Sequence, residues 1–261
     1  MTDVAPEIAP DIAPLIAAEI EARAPFVDHG DALPTVAGAY DAQDRMAAIL
    51  GPRRGGIGGR KIAWNGPGQA AAMGLPGPAI APIFAAGVRE TPARLFAADW
   101  VSFFFEPEIA AVLGEDLPPR EGGYTADDLT GRAIRLHPAF ELMDRRRCGA
   151  PSAHGVIASG VFNEGLALGG PGLPAGDVDV AALRSVVTLN GDVILDRVGA
   201  ATMHPLEAVA LIATHASARG ITLRAGEILL CGTHLPPQAE PGPATLTFDL
   251  GPLGSVSLAL E

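Results

Sequence analysis

Glu106 and Glu108, in Phe105-Glu106-Pro107-Glu108-Ile109, are the residues whose types and spacing point most directly to chemistry. On a β-strand, residues two apart share a face at about 6.5–7 Å. Both carboxylates then project together, and the apolar residues between them face the other way. Like charges held this close repel unless something positive sits between them. A hard divalent cation such as Mg²⁺ or Mn²⁺ accepts carboxylate oxygens and keeps positions open for a substrate. A lone Glu-x-Glu more often marks a solvated strand face, so the pair needs support from elsewhere in the chain.

Glu141 gives that support. It lies in the apolar segment Phe140-Glu141-Leu142-Met143-Asp144-Arg145-Arg146, where an unpaired carboxylate is costly. A third place on the cation accounts for it, and so does a salt bridge to Arg146. Lys61, in Gly59-Arg60-Lys61-Ile62-Ala63-Trp64, reads either as a surface lysine or as a desolvated amine with lowered pKa. The second form suits proton transfer or the holding of a substrate carboxylate. Arg145, Arg146 and Arg147 form a local basic patch that can receive an anion, with Arg146 the substrate-binding candidate.

The elements that must position these side chains are legible from periodicity. Ile8, Ile12, Leu15, Ile16, Ile20 and Ala24 recur at helical spacing, and Pro10 and Pro14 place the regular helix from Leu15 onward. A second helix is predicted after Pro34, running through Ala39-Tyr40-Asp41-Ala42-Gln43 to Leu50. The glycine-rich stretch from Gly51 to Gly59 reads as a flexible joint. It divides a helical region, 1–55, from a catalytic body, 56–261. Beyond it strands dominate, including Val101 to Leu113, Ile228 to Cys231, Ala244 to Phe248 and Ser255 to Leu260. Val186 to Leu189 and Val193 to Leu195 flank Asn190-Gly191, a hairpin signature, because Asn-Gly takes the positive φ of a type I′ turn. One helix interrupts, from His204-Pro205 through Arg219, closed by Gly220. The class is α+β with a large antiparallel or mixed sheet system.

Bulk properties bound the partners. With 261 residues, 48% of them hydrophobic and 18% charged, the chain supports a sizeable core. Its net charge of −12 disfavours nucleic acid and anionic membranes as principal partners. The two cysteines, Cys148 and Cys231, read as reduced thiols. The first residues carry no signal-peptide pattern and no apolar run spans a bilayer, so the expected place is the cytoplasm.

Several motifs in one order resemble the fumarylacetoacetate hydrolase superfamily. These are Arg60-Lys61-Ile62, Glu106 through Gly114, Phe140 through Arg146, Asn190-Gly191, His204 through Ala210, Leu223 through Ile228, and Gly251 through Val256. Ala39 through Gln43 also fits, and the likeness covers roughly residues 34–261. More narrowly, the chain is similar to the branch of 2-keto-4-pentenoate hydratases and 2-oxo-3-hexenedioate decarboxylases. The resemblance implies a helical N-terminal part on a β-rich sandwich or roll, and a homo-oligomer. It implies one Mg²⁺ or Mn²⁺ on Glu106, Glu108 and Glu141, with Lys61 as acid/base or carboxylate-positioning residue. A 2-oxo acid would chelate the ion through its carboxylate and oxo oxygens and pass through an enolate.

Departures concentrate on the substrate side. Where the branch carries Pro-Asp-aromatic-Gly, this chain has Pro78-Ala79-Ile80-Ala81. Where it carries Ala-Asp-Asn-Ala-Ser-Ser-Gly, this chain has His154-Gly155-Val156-Ile157-Ala158-Ser159-Gly160. The last loop reads Cys231-Gly232-Thr233-His234. His154 and His234 are therefore candidate replacements for the missing acid/base, and Ser159 a substrate hydrogen-bonding candidate. The expected reaction is hydration of a 2-hydroxy-2,4-dienoate. Decarboxylation of a 2-oxo-3-enedioate, C–C hydrolysis of an acylpyruvate, or a non-catalytic scaffold are the alternatives.

Overall fold

Alternation of apolar and polar residues decides most of the architecture. The structure, a computed structural model, describes residues 11–240 and 242–261. Two helices, α1 (Ala13–Glu21) and α2 (Val36–Leu50), come first. Ile8 and Pro10 of the predicted helix lie outside the described residues. Thr35 caps α2 by accepting from the Gly38 N–H at 3.0 Å. Then follow β1 (Ile57–Ala63), a short turn α3 (Gln69–Ala72), β2 (Ala79–Phe84), β3 (Val88–Glu90), β4 (Ala93–Leu95) and β5 (Phe103–Leu113). After α4 (Ala126–Leu129) come β6 (Ile134–Asp144), α5 (Ala153–Ala158), β7 (Asn163–Leu168), β8 (Leu173–Pro174), β9 (Arg184–Leu189) and β10 (Asp192–Val198). The chain ends with α6 (Pro205–Ala218), β11 (Ile228–Thr233), β12 (Gln238–Ala239), β13 (Ala244–Asp249) and β14 (Ser255–Leu260).

The larger sheet runs β2-β1-β11-β5-β6-β7-β3, with β12 on β5 and β8 on β6, and the smaller runs β10-β9-β13-β14-β4. Pairing is mostly antiparallel, with β1–β11, β3–β7 and β14–β4 parallel. The α+β class with a mixed two-sheet system is thus what forms. Asn190 and Gly191 have φ of 53° and 90°, as a type I′ hairpin requires. The glycine stretch is not a loose joint. Gly58 and Gly59 lie within β1, and a Cβ on Gly59 would stand 2.0 Å from the Ile228 carbonyl oxygen. Only glycine lets β1 and β11 approach so closely.

The two faces of the larger sheet do different work, and strand parity decides which residue does which. Odd positions of β5 (Phe105, Ile109, Ala111) and even positions of β6 (Leu136, Phe140, Leu142) share one core with Val187, Phe248 and Val256 of the smaller sheet and with α6. The opposite face curls around an interior. At one end it is filled by Ile83, Ala110, Ala139, Leu166, Ile228 and Leu230. At the other end Ala79, Ala81 and Met143 pack with Tyr40, Val156 and Phe162. Tyr40 and Gln43 of α2 brace this second end. The Tyr40 hydroxyl accepts from the Ile80 N–H, and Gln43 donates to the carbonyls of Ile80 and Ile157. Met46 and Leu50 share a core with Phe84 and Ala158, so the N-terminal helices pack directly on β2 and α5.

A candidate metal centre

Between the two apolar ends of that interior stand three carboxylates. Glu106 and Glu141 are register partners across β5 and β6, and Glu108 follows two residues along β5 on the same face. One oxygen from each lies within 4.8 Å of the others. All three are buried, at 8%, 1% and 0% exposure for Glu106, Glu108 and Glu141. The alternation read from the sequence therefore holds, but the face is sealed rather than solvated.

Lys61, facing the same interior from β1, is 2% exposed. Its ammonium lies 2.9 Å from Glu141 Oε2, off the direction of a well-formed hydrogen bond, so that oxygen has no hydrogen-bond partner. The ion pair with Arg146, one of the two readings of Glu141, is not formed; Lys61 takes that place. Burial works against the charged amine, but Glu141, Glu106 and Glu108 together outweigh it and raise its pKa above the ordinary lysine value, the opposite of the lowering expected from desolvation alone. Burial, then the nearby Glu141, push the Glu106 carboxyl up to about 8. Burial with Glu141 and Glu106 holds Glu108 well above the carboxylate range.

Two backbone irregularities complete the cluster. A register shift between Leu230 and Thr233 of β11 turns the Gly232 N–H onto Glu108 Oε2 at 2.7 Å. The same irregularity brings the Thr233 hydroxyl to Glu106. Val161 and Phe162 then hold φ of 51° and 61°, a strained conformation for such residues. They deliver Asn163, whose amide donates to Glu141 Oε1 at 2.9 Å. Asn163 was not singled out from the sequence. The sequence hardly marks it, because Glu164 beside it makes the start of β7 polar in any case.

The donor set fits a hard dication. Three carboxylates carry −3 when ionised, and Lys61 supplies +1, leaving −2 in a buried space. A divalent ion cancels that charge, and oxygen donors suit Mg²⁺ or Mn²⁺.

Other sequence candidates fall elsewhere. His234 follows the Thr233 position paired with Glu108, and strand alternation turns its ring to the opposite face. There it packs edge-on against Phe248 and shares a 2.8 Å hydrogen bond with the Ser185 hydroxyl. Burial pushes its pKa down to about 4. It is a core histidine and not part of the carboxylate cluster. His154 Nδ1 bonds the Leu33 carbonyl at 2.6 Å, on the side of α5 that faces the N-terminal helices. Ser159 donates to the Val156 carbonyl, three residues back in its own chain. Arg146 lines a separate cavity with Arg54, Trp100 and Glu164, and its guanidinium lies 5.6 Å from the Phe26 ring centre. Ala79 and Ala81 pair with Ala63 and Lys61 and face the cluster's side of the sheet. No acid replaces the missing aspartate at these two positions. Cys148 and Cys231 are free thiols. Among the described residues no helix is long and apolar enough to cross a membrane.

No family model matches the chain. A 2-keto-4-pentenoate hydratase of Paraburkholderia phymatum is 29% identical over 200 residues, 76% of this chain and 76% of that protein. The 4-oxalocrotonate decarboxylase of Pseudomonas putida, solved with magnesium and adipate, superposes with a TM-score of 0.86 at 23% identity, covering 98% of this chain and 99% of that one. A fumarylpyruvate hydrolase from Pseudomonas aeruginosa, solved with Mn²⁺ and pyruvate, superposes with a TM-score of 0.53 at 17% identity, over 77% of this chain and 89% of that one. The ordered motifs make the chain similar in sequence to 2-keto-4-pentenoate hydratases, and its β-rich topology, with a buried glutamate triad, makes it similar in fold to the 4-oxalocrotonate decarboxylase.

Proposed function

We propose that this protein is a divalent-metal-dependent lyase that adds water to a 2-hydroxy-2,4-dienoate, giving a 4-hydroxy-2-oxo acid. The observation that carries the proposal is the buried triad of Glu106, Glu108 and Glu141 against a single ammonium, Lys61. These three glutamates would hold Mg²⁺ or Mn²⁺, which when bound supplies a Lewis acid for the negative charge that develops on the 2-oxo acid. The chain's own groups do the rest. The Asn163 amide and the Gly232 N–H each fix one carboxylate, so the acceptor oxygens are oriented before substrate arrives. Lys61, buried and kept cationic by the glutamates, is placed to hold a substrate carboxylate beside the cluster. The apolar ends of the interior exclude bulk water and strengthen every electrostatic contact within.

Decarboxylation of a 2-oxo-3-enedioate is the second reading. Ala63, Ala79, Ala81 and Met143 around Lys61 offer no second acid or base to activate water, and loss of CO₂ needs none. One assay separates the two. Metal-loaded protein is incubated with dienol and enedioate substrates, following the loss of ultraviolet absorbance together with CO₂ release. Hydration consumes the dienol without CO₂. Glu106→Gln or thorough chelation abolishes turnover; full activity in either condition refutes the metal model.

A further inference from the structure

The turn that closes β6 shapes a second cavity. Asp144, the last residue of the strand, accepts from the Val101, Ser102 and Arg146 N–H groups at 2.8, 2.9 and 2.9 Å. Arg146 takes a φ of 45° within this turn, and its side chain enters a cavity of about 630 Å³. The walls come from α1, the turn after α2, β3, β4 and the segment before β5. Glu106, Glu108, Glu141 and Lys61 do not line it.

Two donors in this cavity meet no acceptor. Arg146 is 3% exposed, and its Nη1 is buried without a hydrogen-bond partner. The Trp100 indole N–H is buried and unpartnered as well, with its ring held edge-on against Phe103 at 4.9 Å between centres. A guanidinium and an indole nitrogen only donate, so what completes them must accept. The acids of the wall are already engaged. Glu21, Asp99 and Glu164 lie 2.8, 3.2 and 2.7 Å from Arg53, Arg23 and Arg54, and both oxygens of Asp144 take backbone N–H groups. Arg89, exposed at the rim, donates only to the backbone carbonyls of Ala86 and Val88. Among the described residues neither Arg89 nor Arg146 is within salt-bridge distance of a carboxylate.

We propose that this cavity binds a phosphate group, free or as the ester of a small molecule. Arg146 and Trp100 donate to it from the buried end and Arg89 from the rim. Two guanidiniums without carboxylates match a dianion, and phosphate offers at least three acceptor oxygens to donors on separate elements. A carboxylate, with one charge and two oxygens, leaves part of this set unmet. The cavity is larger than phosphate alone, and Ile20, Leu95 and Phe96 give it an apolar side that suits an organic body. A net charge of −12 repels loosely held anions, so binding here depends on these particular donors.

The test is calorimetric titration with inorganic phosphate, phenyl phosphate and benzoate, in chelator so that no metal at the triad holds the probe. Both phosphates saturate a single site per chain, and benzoate binds far more weakly. Tighter binding of phenyl phosphate assigns the site to an ester, and equal affinity assigns it to free phosphate. Arg146→Met weakens phosphate about ten- to a hundredfold, the range for hydrogen bonds to a charged group. Arg89→Gln, at an exposed position that leaves folding intact, weakens it several-fold and keeps the test alive if Arg146→Met does not fold. Arg120→Gln makes the same change of charge outside the cavity and leaves affinity unchanged. Absence of saturable binding in the wild type overturns the proposal, as does equal loss in Arg120→Gln. Sedimentation of Arg146→Met gives a further check. Loss of an oligomer there assigns the cavity to an acidic side chain of a second copy, and overturns the phosphate site.

Discussion

Replacing Lys61 with methionine tests the electrostatics of the centre most directly. Lys61→Met keeps the length of the side chain and removes the only ammonium near Glu106, Glu108 and Glu141 among the described residues. Breaking a buried ion pair by deleting one partner costs about 3–5 kcal/mol. For a chain of this size that lowers the melting temperature by on the order of 10 °C. The loss is specific to metal-free protein, because a bound dication neutralises the same carboxylates. It is also pH-dependent. Glu106, pushed up from 4.5 to about 8, binds a proton in the folded state that it releases when unfolded. Its contribution is complete at low pH and is lost as pH rises through about 8, a change of up to about 4–5 kcal/mol. Urea unfolding in chelator and in saturating Mg²⁺, at several pH values, measures all three effects. Metal-free wild type weakens between pH 5 and 8, Mg²⁺ flattens that dependence, and Lys61→Met falls further in chelator but recovers with Mg²⁺. A variant as stable as wild type in chelator at pH 8 refutes the charge argument, and so does one that Mg²⁺ fails to rescue.

Three further outcomes are expected. Asn163→Leu removes the amide on Glu141 Oε1 and weakens Mg²⁺ or Mn²⁺ affinity about 10–100-fold in a metal titration, with little change in overall secondary structure. Gly232→Ala forces a Cβ within 2.3 Å of the Asn65 amide at a φ of 109°, displaces the N–H from Glu108, and lowers both stability and metal affinity. His234, held at about 4 by burial, stays neutral to well below its ordinary 6.5, and its ring resonances shift with a midpoint near 4. Because its folded pKa is depressed, its contribution is complete above 6.5 and is withdrawn on acidification, by roughly 2 kcal/mol at pH 5. A midpoint near 6.5 contradicts its placement in the core.

The sequence by itself determined what depends on local periodicity and turn chemistry. Parity put Glu106 and Glu108 on one face, Asn190-Gly191 marked the hairpin, and Pro34 and His204-Pro205 marked where two helices start. The improbability of Glu141 in an apolar run located the third carboxylate. Tertiary structure decided which neighbours meet. The irregularity in β11 put Gly232 and Thr233 on the site and turned His234 away, because one extra residue in a strand reverses the face of all that follow. A strained turn at Val161 and Phe162 delivered Asn163, and no pattern of residue types encodes that direction. The choice between Arg145 and Arg146 shows the same limit. Two adjacent arginines are equivalent in composition, and only the tertiary structure stacks Arg145 on Phe104 and Phe162 and sends Arg146 into a separate cavity.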